Sequence, residues 1–125
     1  MNIPKELRYS KSHEWVLVTG DTARVGLTDY AQNALGSIVF VNLPEVGDSV
    51  ELESDVGEVE SVKSVSTIYS PISGTVTAIN EELLDAPEKI NEDSYGAWFF
   101  EVENASGFEG LLNAEEYEAF CAEEV

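Results

Sequence analysis

The chain has 125 residues, 43% hydrophobic and 10% aromatic, enough for one domain with a modest core and incompatible with a disordered tail. Its 25 acidic against 6 basic residues give a formal net charge of −19, which repels nucleic acid and anionic membranes and leaves no basic stripe for phosphate. No run approaches the length of an apolar membrane span, the opening MNIPKELRYSKSHEW lacks the apolar centre of a targeting peptide, and a single cysteine, Cys121, permits no internal disulfide, so a cytoplasmic monomer outside the membrane is expected.

In chain order, EWVLVTGDTARVGLT (14–28) places two short β-rich runs around Thr19-Gly20-Asp21, a hairpin signal. TDYAQNALG follows. Thr28 or Asp29 can cap a two-turn helix whose apolar face is Ala31, Ala34 and Leu35, and Gly36 can close it. Further strands are predicted over 37–42, 49–53, 56–62, 65–69, 75–80 and 95–103, punctuated by Pro44, Gly47, Pro71 and Gly74. The tail from Asn113 reads as a helix, with Asn113 and Glu116 at capping-box spacing and Cys121 as a buried helical thiol.

Sliding the chain on itself lays GSIVFVN (36–42) over GTVTAIN (74–80), a shared G-[ST]-[IV]-x-x-[VI]-N pattern. Two similar β units that must pack together to bury their apolar faces are implied. Lys63 lies in the link between them, in VESVKSVSTIYSPISG (59–74), the lone lysine between Lys11 and Lys89. A hairpin whose turn holds Lys63 and Ser64 fits, although neither residue carries the usual tight-turn signature. An amine displayed there is protonated and a poor nucleophile without a desolvating pocket, but it is well placed for acylation by another enzyme. Spacing alone leaves a carrier lysine and a solvated surface charge both open.

Little else carries chemistry. His13 cannot form a relay with Cys121 on any recognisable motif and reads as structural, and CxxC, HExxH and phosphate-cradling loops are missing. Acidic pairs such as Glu81-Glu82 are uninformative in so acidic a chain.

The blocks SHEWV (12–16), GLTDYAQ (26–32), LGSIVFVNLPEVG (35–47), VESVKS (59–64), SPISGTV (70–76) and INEDSYGAWF (90–99), in this order and spacing, resemble the glycine cleavage H-protein family. The resemblance implies a mostly β barrel-sandwich hybrid of two quasi-symmetric units, one lipoyl-carrier domain over 1–125 with its core at about 14–103 and a C-terminal helical segment at about 106–123. It implies lipoate joined covalently to Lys63 by a lipoate-attaching enzyme. The protein is then a non-catalytic shuttle among a glycine decarboxylase (P protein), a tetrahydrofolate-dependent aminomethyltransferase (T protein) and a dihydrolipoamide dehydrogenase (L protein). Ser12 and Glu14 are the implied contacts of the arm in its cleft, and no metal is implied. Ala34 and Thr67 sit where relatives can place polar or acidic residues, so the cleft chemistry can differ here.

Four alternatives remain at this point, one of them a lipoyl domain of a 2-oxoacid dehydrogenase, for which an Ala/Pro-rich linker is expected where this chain has an acidic helix after Asn113. A biotin carrier would flank its lysine with methionines, where this chain has Val62 and Ser64. A lipoyl relay protein serving other lipoate-dependent enzymes, and an unmodified acidic adaptor, are the others.

Overall fold

The computed structural model describes residues 2–123, so the two ends of the expected 1–125 domain lie outside the described residues. The chain is mostly strand: β1 (Arg8–Tyr9), β2 (Glu14–Thr19), β3 (Thr22–Leu27), β4 (Ile38–Asn42), β5 (Ser49–Val50), β6 (Asp55–Ser61), β7 (Val65–Tyr69), β8 (Ser73–Ile79) and β9 (Phe100–Ser106). Helices are short: α1 (Asp29–Leu35), α2 (Glu82–Asp85), α3 (Lys89–Glu92) and α4 (Ala114–Glu123), with a 3-10 turn at Phe108–Gly110. Two sheets result, a six-stranded one in the order β1-β2-β3-β9-β8-β5 and a three-stranded one in the order β4-β6-β7, with antiparallel pairing throughout. This is the expected barrel-sandwich hybrid. The two copies of the internal echo supply one strand to each sheet, β4 to the small one and β8 to the large one.

Alternation along the strands splits the core in two. Val16 and Val25 of the large sheet face Val41, Val59 and Ile68 of the small one in the main core. Trp15, one residue from Val16, points the other way into a second cluster with Leu7, Tyr9, Tyr117 and Cys121, where α4 covers the sheet. Cys121 is therefore buried, as its helical setting predicts.

Several strand bounds shift by one or two residues, and the larger departures have local reasons. The predicted strand at 95–103 begins at Phe100, because the amides of Gly96 and Ala97 are spent on the carbonyl of Asp93 in a turn after α3. The predicted strand at 49–53 stops at Val50, because Ser54 folds back to donate its hydroxyl to the Glu51 carbonyl at 2.6 Å. β9 also continues through Ser106, so the C-terminal helical segment starts later than 106.

Candidate functional site

Lys63 lies at the tip of the β6–β7 hairpin, where the last strand pair is Glu60 with Val65, and its side chain is exposed. One serine builds the turn. Ser61 is buried, and its Oγ accepts the amides of Lys63 at 3.2 Å and Ser64 at 3.1 Å, while its own amide donates to the Ser64 carbonyl at 2.8 Å. A hydroxyl-centred turn thus stands in for the Asn-Gly chemistry of tighter hairpins. Val62 donates its amide to the Ser37 carbonyl at 3.0 Å, which fastens the tip to the segment between α1 and β4.

That segment is a platform for the lysine stem. Gly36 ends α1 at φ 86°, a conformation that residues with a side chain rarely adopt. A Cβ at Gly36 would lie 3.5 Å from Lys63 Cε, so the stem passes over bare backbone. Asn91 of α3 clamps the platform: its amide nitrogen donates to the Gly36 carbonyl and to Gln32 Oε1, both at 2.9 Å, and its oxygen accepts the Ile38 amide at 2.8 Å.

From this end a cleft of ≈ 160 Å³ follows α1, with Tyr30, Ala34 and Leu35 on one side, Ser66 and Thr67 of β7 on the other, and Ser12 and His13 also in its lining. The His13 carbonyl accepts the Thr28 amide at 3.1 Å, which puts Ser12 and His13 at the N-terminal end of α1, away from Gly36. The seven residues of α1 separate the two ends by roughly 10 Å. Ala34 and Thr67 present only a methyl and a hydroxyl to this cleft, so its walls carry no formal charge there.

The two expected contacts are neighbours with different exposure. Ser12 is exposed and lines the cleft. Glu14 is 1% exposed and stands behind it, with Oε1 accepting Ser10 Oγ at 2.7 Å and also Ser12 Oγ, and Oε2 accepting the Tyr69 amide at 3.4 Å. Burial pushes the Glu14 carboxyl up to about 7, against the opposing pull of these hydroxyl and amide donors. The pair forms an acceptor site that a buried amine or hydroxyl could use, with Ser12 as its outer member. A larger groove of ≈ 600 Å³, between Ser10, Ser12, Leu52, Tyr69 and Leu111, shares Ser12 with the cleft and includes the three partners of Glu14, and neither space is lined by a residue of the Lys63 turn.

Ser61, Gly36 and Asn91 are the site residues that motif reading underrates. A serine two places before the lysine is a legible turn signal. Asn91 has none, since its three partners come from elements more than fifty positions away.

A model of the glycine cleavage H-protein family matches residues 7–124. Among curated proteins, the glycine cleavage system H protein of Acidobacterium capsulatum is 55% identical over 126 residues, covering 99% of this chain and 98% of its own. That of Geobacillus kaustophilus is 56% identical over 126 residues, covering 98% and 99%. Among solved structures, the crystal structure of a glycine cleavage system H protein from Mycobacterium marinum superposes with a TM-score of 0.86 at 42% identity, over 94% of this chain and 97% of that one.

Proposed function

This chain belongs to the glycine cleavage H-protein family, and from that premise we propose that it bears lipoate in amide linkage on Lys63. On this reading it carries an aminomethyl group from glycine decarboxylase (P protein) to the tetrahydrofolate-dependent aminomethyltransferase (T protein), and then reducing equivalents to dihydrolipoamide dehydrogenase (L protein). A lipoate-attaching enzyme acylates the amine beforehand. The observation that carries the reading is the setting of Lys63: an exposed amine on a turn fastened by Ser61, its stem within van der Waals reach of Gly36 at the end of α1, the helix that forms one wall of the cleft.

When attached, the dithiolane supplies a sulfur that accepts carbon and a couple that carries two electrons. The chain's own residues do the rest. Ser61 fixes the direction in which the amine leaves the sheet, and the tether raises the local concentration of the cargo at each docked enzyme. The uncharged walls at Ala34 and Thr67 exclude water without binding tightly, and Ser12, backed by Glu14, accepts a hydrogen bond from the cargo's amine. No side chain of the protein takes a catalytic part. The whole chain acts as one cytoplasmic carrier domain, and its acidic surface favours partners with basic faces.

The reading is tested with the lipoylated chain, glycine and glycine decarboxylase. Release of CO2 with transfer of an aminomethyl group to the chain is expected, and Lys63→Arg should show neither. Cargo on the K63R protein would contradict the assignment.

A further inference from the structure

Tyr117 of α4 is remote in sequence from the cleft, yet its hydroxyl lies 2.7 Å from His13 Nδ1 and 2.7 Å from Thr28 Oγ1. His13 belongs to the cleft lining, and Thr28 is buried at the start of the helix that forms one wall. His13 lines the cleft itself, between Ser12 and Glu14 in the chain, and holds the left-handed backbone conformation at φ 73°, which is uncommon for a residue with a side chain. Thr28 caps α1, with its Oγ1 accepting the Ala31 amide at 3.2 Å. The His13 ring also stacks on Tyr30 of α1, centroids 4.7 Å apart, and both rings line the cleft. The Tyr117 ring is fully buried and stacks on Tyr9 at 4.6 Å, so its hydroxyl is held in place. Burial keeps the phenol far above its usual range, so it is a neutral group able both to donate and to accept.

The geometry points to Tyr117 as a positioning residue: its hydroxyl joins the Ser12–His13 turn to the start of α1, and so sets the width of the cleft at the end where the cargo's amine would be received. This rests on the proposed carrier reading. Without the hydroxyl the left-handed turn loses one of its ties to α1, and the cleft opens more often.

The test uses the full lipoylated chain, loaded with the aminomethyl group and then separated from the partner enzymes. Ammonia release is timed for wild type, for Tyr117→Phe and for the core variant Val102→Ala. In parallel, the His13 Nδ1 resonance is recorded on the unlipoylated chain by 15N NMR. Loss of one such hydrogen bond should speed release roughly three- to tenfold in Y117F. The His13 resonance should move in Y117F, and V102A, which loosens the core elsewhere, should release at the wild-type rate. Equal release by Y117F and wild type, or equal acceleration in V102A, overturns the inference. A wild-type chain that takes up no lipoyl or aminomethyl group contradicts the carrier reading instead, and the His13 resonance of the unlipoylated chain then still decides whether Tyr117 positions the turn. If Y117F folds poorly, His13→Phe keeps the phenol, the α1 cap and a ring against Tyr30 but removes the Nδ1 partner, and release by it at the wild-type rate overturns the inference.

Discussion

Ser61 and Glu14 show how single side chains set this site's chemistry. Ser61 spends one buried oxygen on two amides of the lysine turn. Ser61→Ala should destabilise the fold by about 1 to 3 kcal/mol, since two donors lose their acceptor, and should lower the kcat/KM of lipoate attachment although Lys63 is untouched. Denaturant melts and an acylation assay check both parts. Glu14 makes a pH prediction with a definite sign. Its carboxyl is raised from the ordinary value to about 7, so between those values the folded chain binds a proton that the unfolded chain releases. Stability from this group is therefore full below the ordinary carboxyl range and is lost as pH rises towards 7. Glu14→Gln should flatten this part of the pH–stability profile and be relatively more stable than wild type at pH 8 than at pH 5, as urea unfolding at the two values would show. The place of Lys63 on an exposed hairpin tip is legible in the sequence, because it is an isolated amine in a β-rich run. The burial of Glu14 is not, because only Ser10 and Ser12 are its neighbours in sequence, while Tyr69, whose amide its Oε2 accepts, is 55 positions away.

At the scale of elements, those whose signals are local were read best. The predicted helix after Thr28 forms as Asp29–Leu35 with the Thr28 cap and the Gly36 stop. The reciprocal bonds of Asn113 and Glu116, at 2.9 and 2.8 Å, start α4 as their spacing predicts. The strand 65–69 appears unchanged as β7. Short pieces such as β1, α2 and α3 escaped, because a few residues carry too little periodicity and are held by tertiary contacts. The cleft wall depends on one of these pieces. Asn91 of α3 serves Gly36, Gln32 and Ile38 together, and Asn91→Ala would leave a partly buried carbonyl and amide without partners. A loss of about 1 to 3 kcal/mol is expected, with slower lipoate attachment. Hydrogen exchange should show the Ile38 amide opening first.

For the whole molecule, charge is the dominant feature. The ion pairs Arg24–Glu101 at 2.9 Å and Lys89–Glu82 at 2.7 Å join side chains that are mostly 45% exposed or more, so each adds little against a net charge of −19. Repulsion among the acidic groups falls as the Debye length contracts, and the thermal midpoint should rise by several degrees between dilute buffer and 1 M KCl. Equal midpoints would show that self-repulsion of the acidic surface does not limit stability. The internal echo also belongs to this scale. It implies two units that pack together and a hairpin carrying Lys63 in the link between them, which β6 and β7 form, but only the assembled sheets show that β4 and β8 part company.

The most direct measurement is the intact mass of the chain purified from a lipoate-replete host, followed by peptide mapping. One lipoyl group is predicted, on the peptide containing Lys63 and absent from the Lys63→Arg protein. An unmodified chain from such a host, or a lipoyl group on any other residue, would contradict the account.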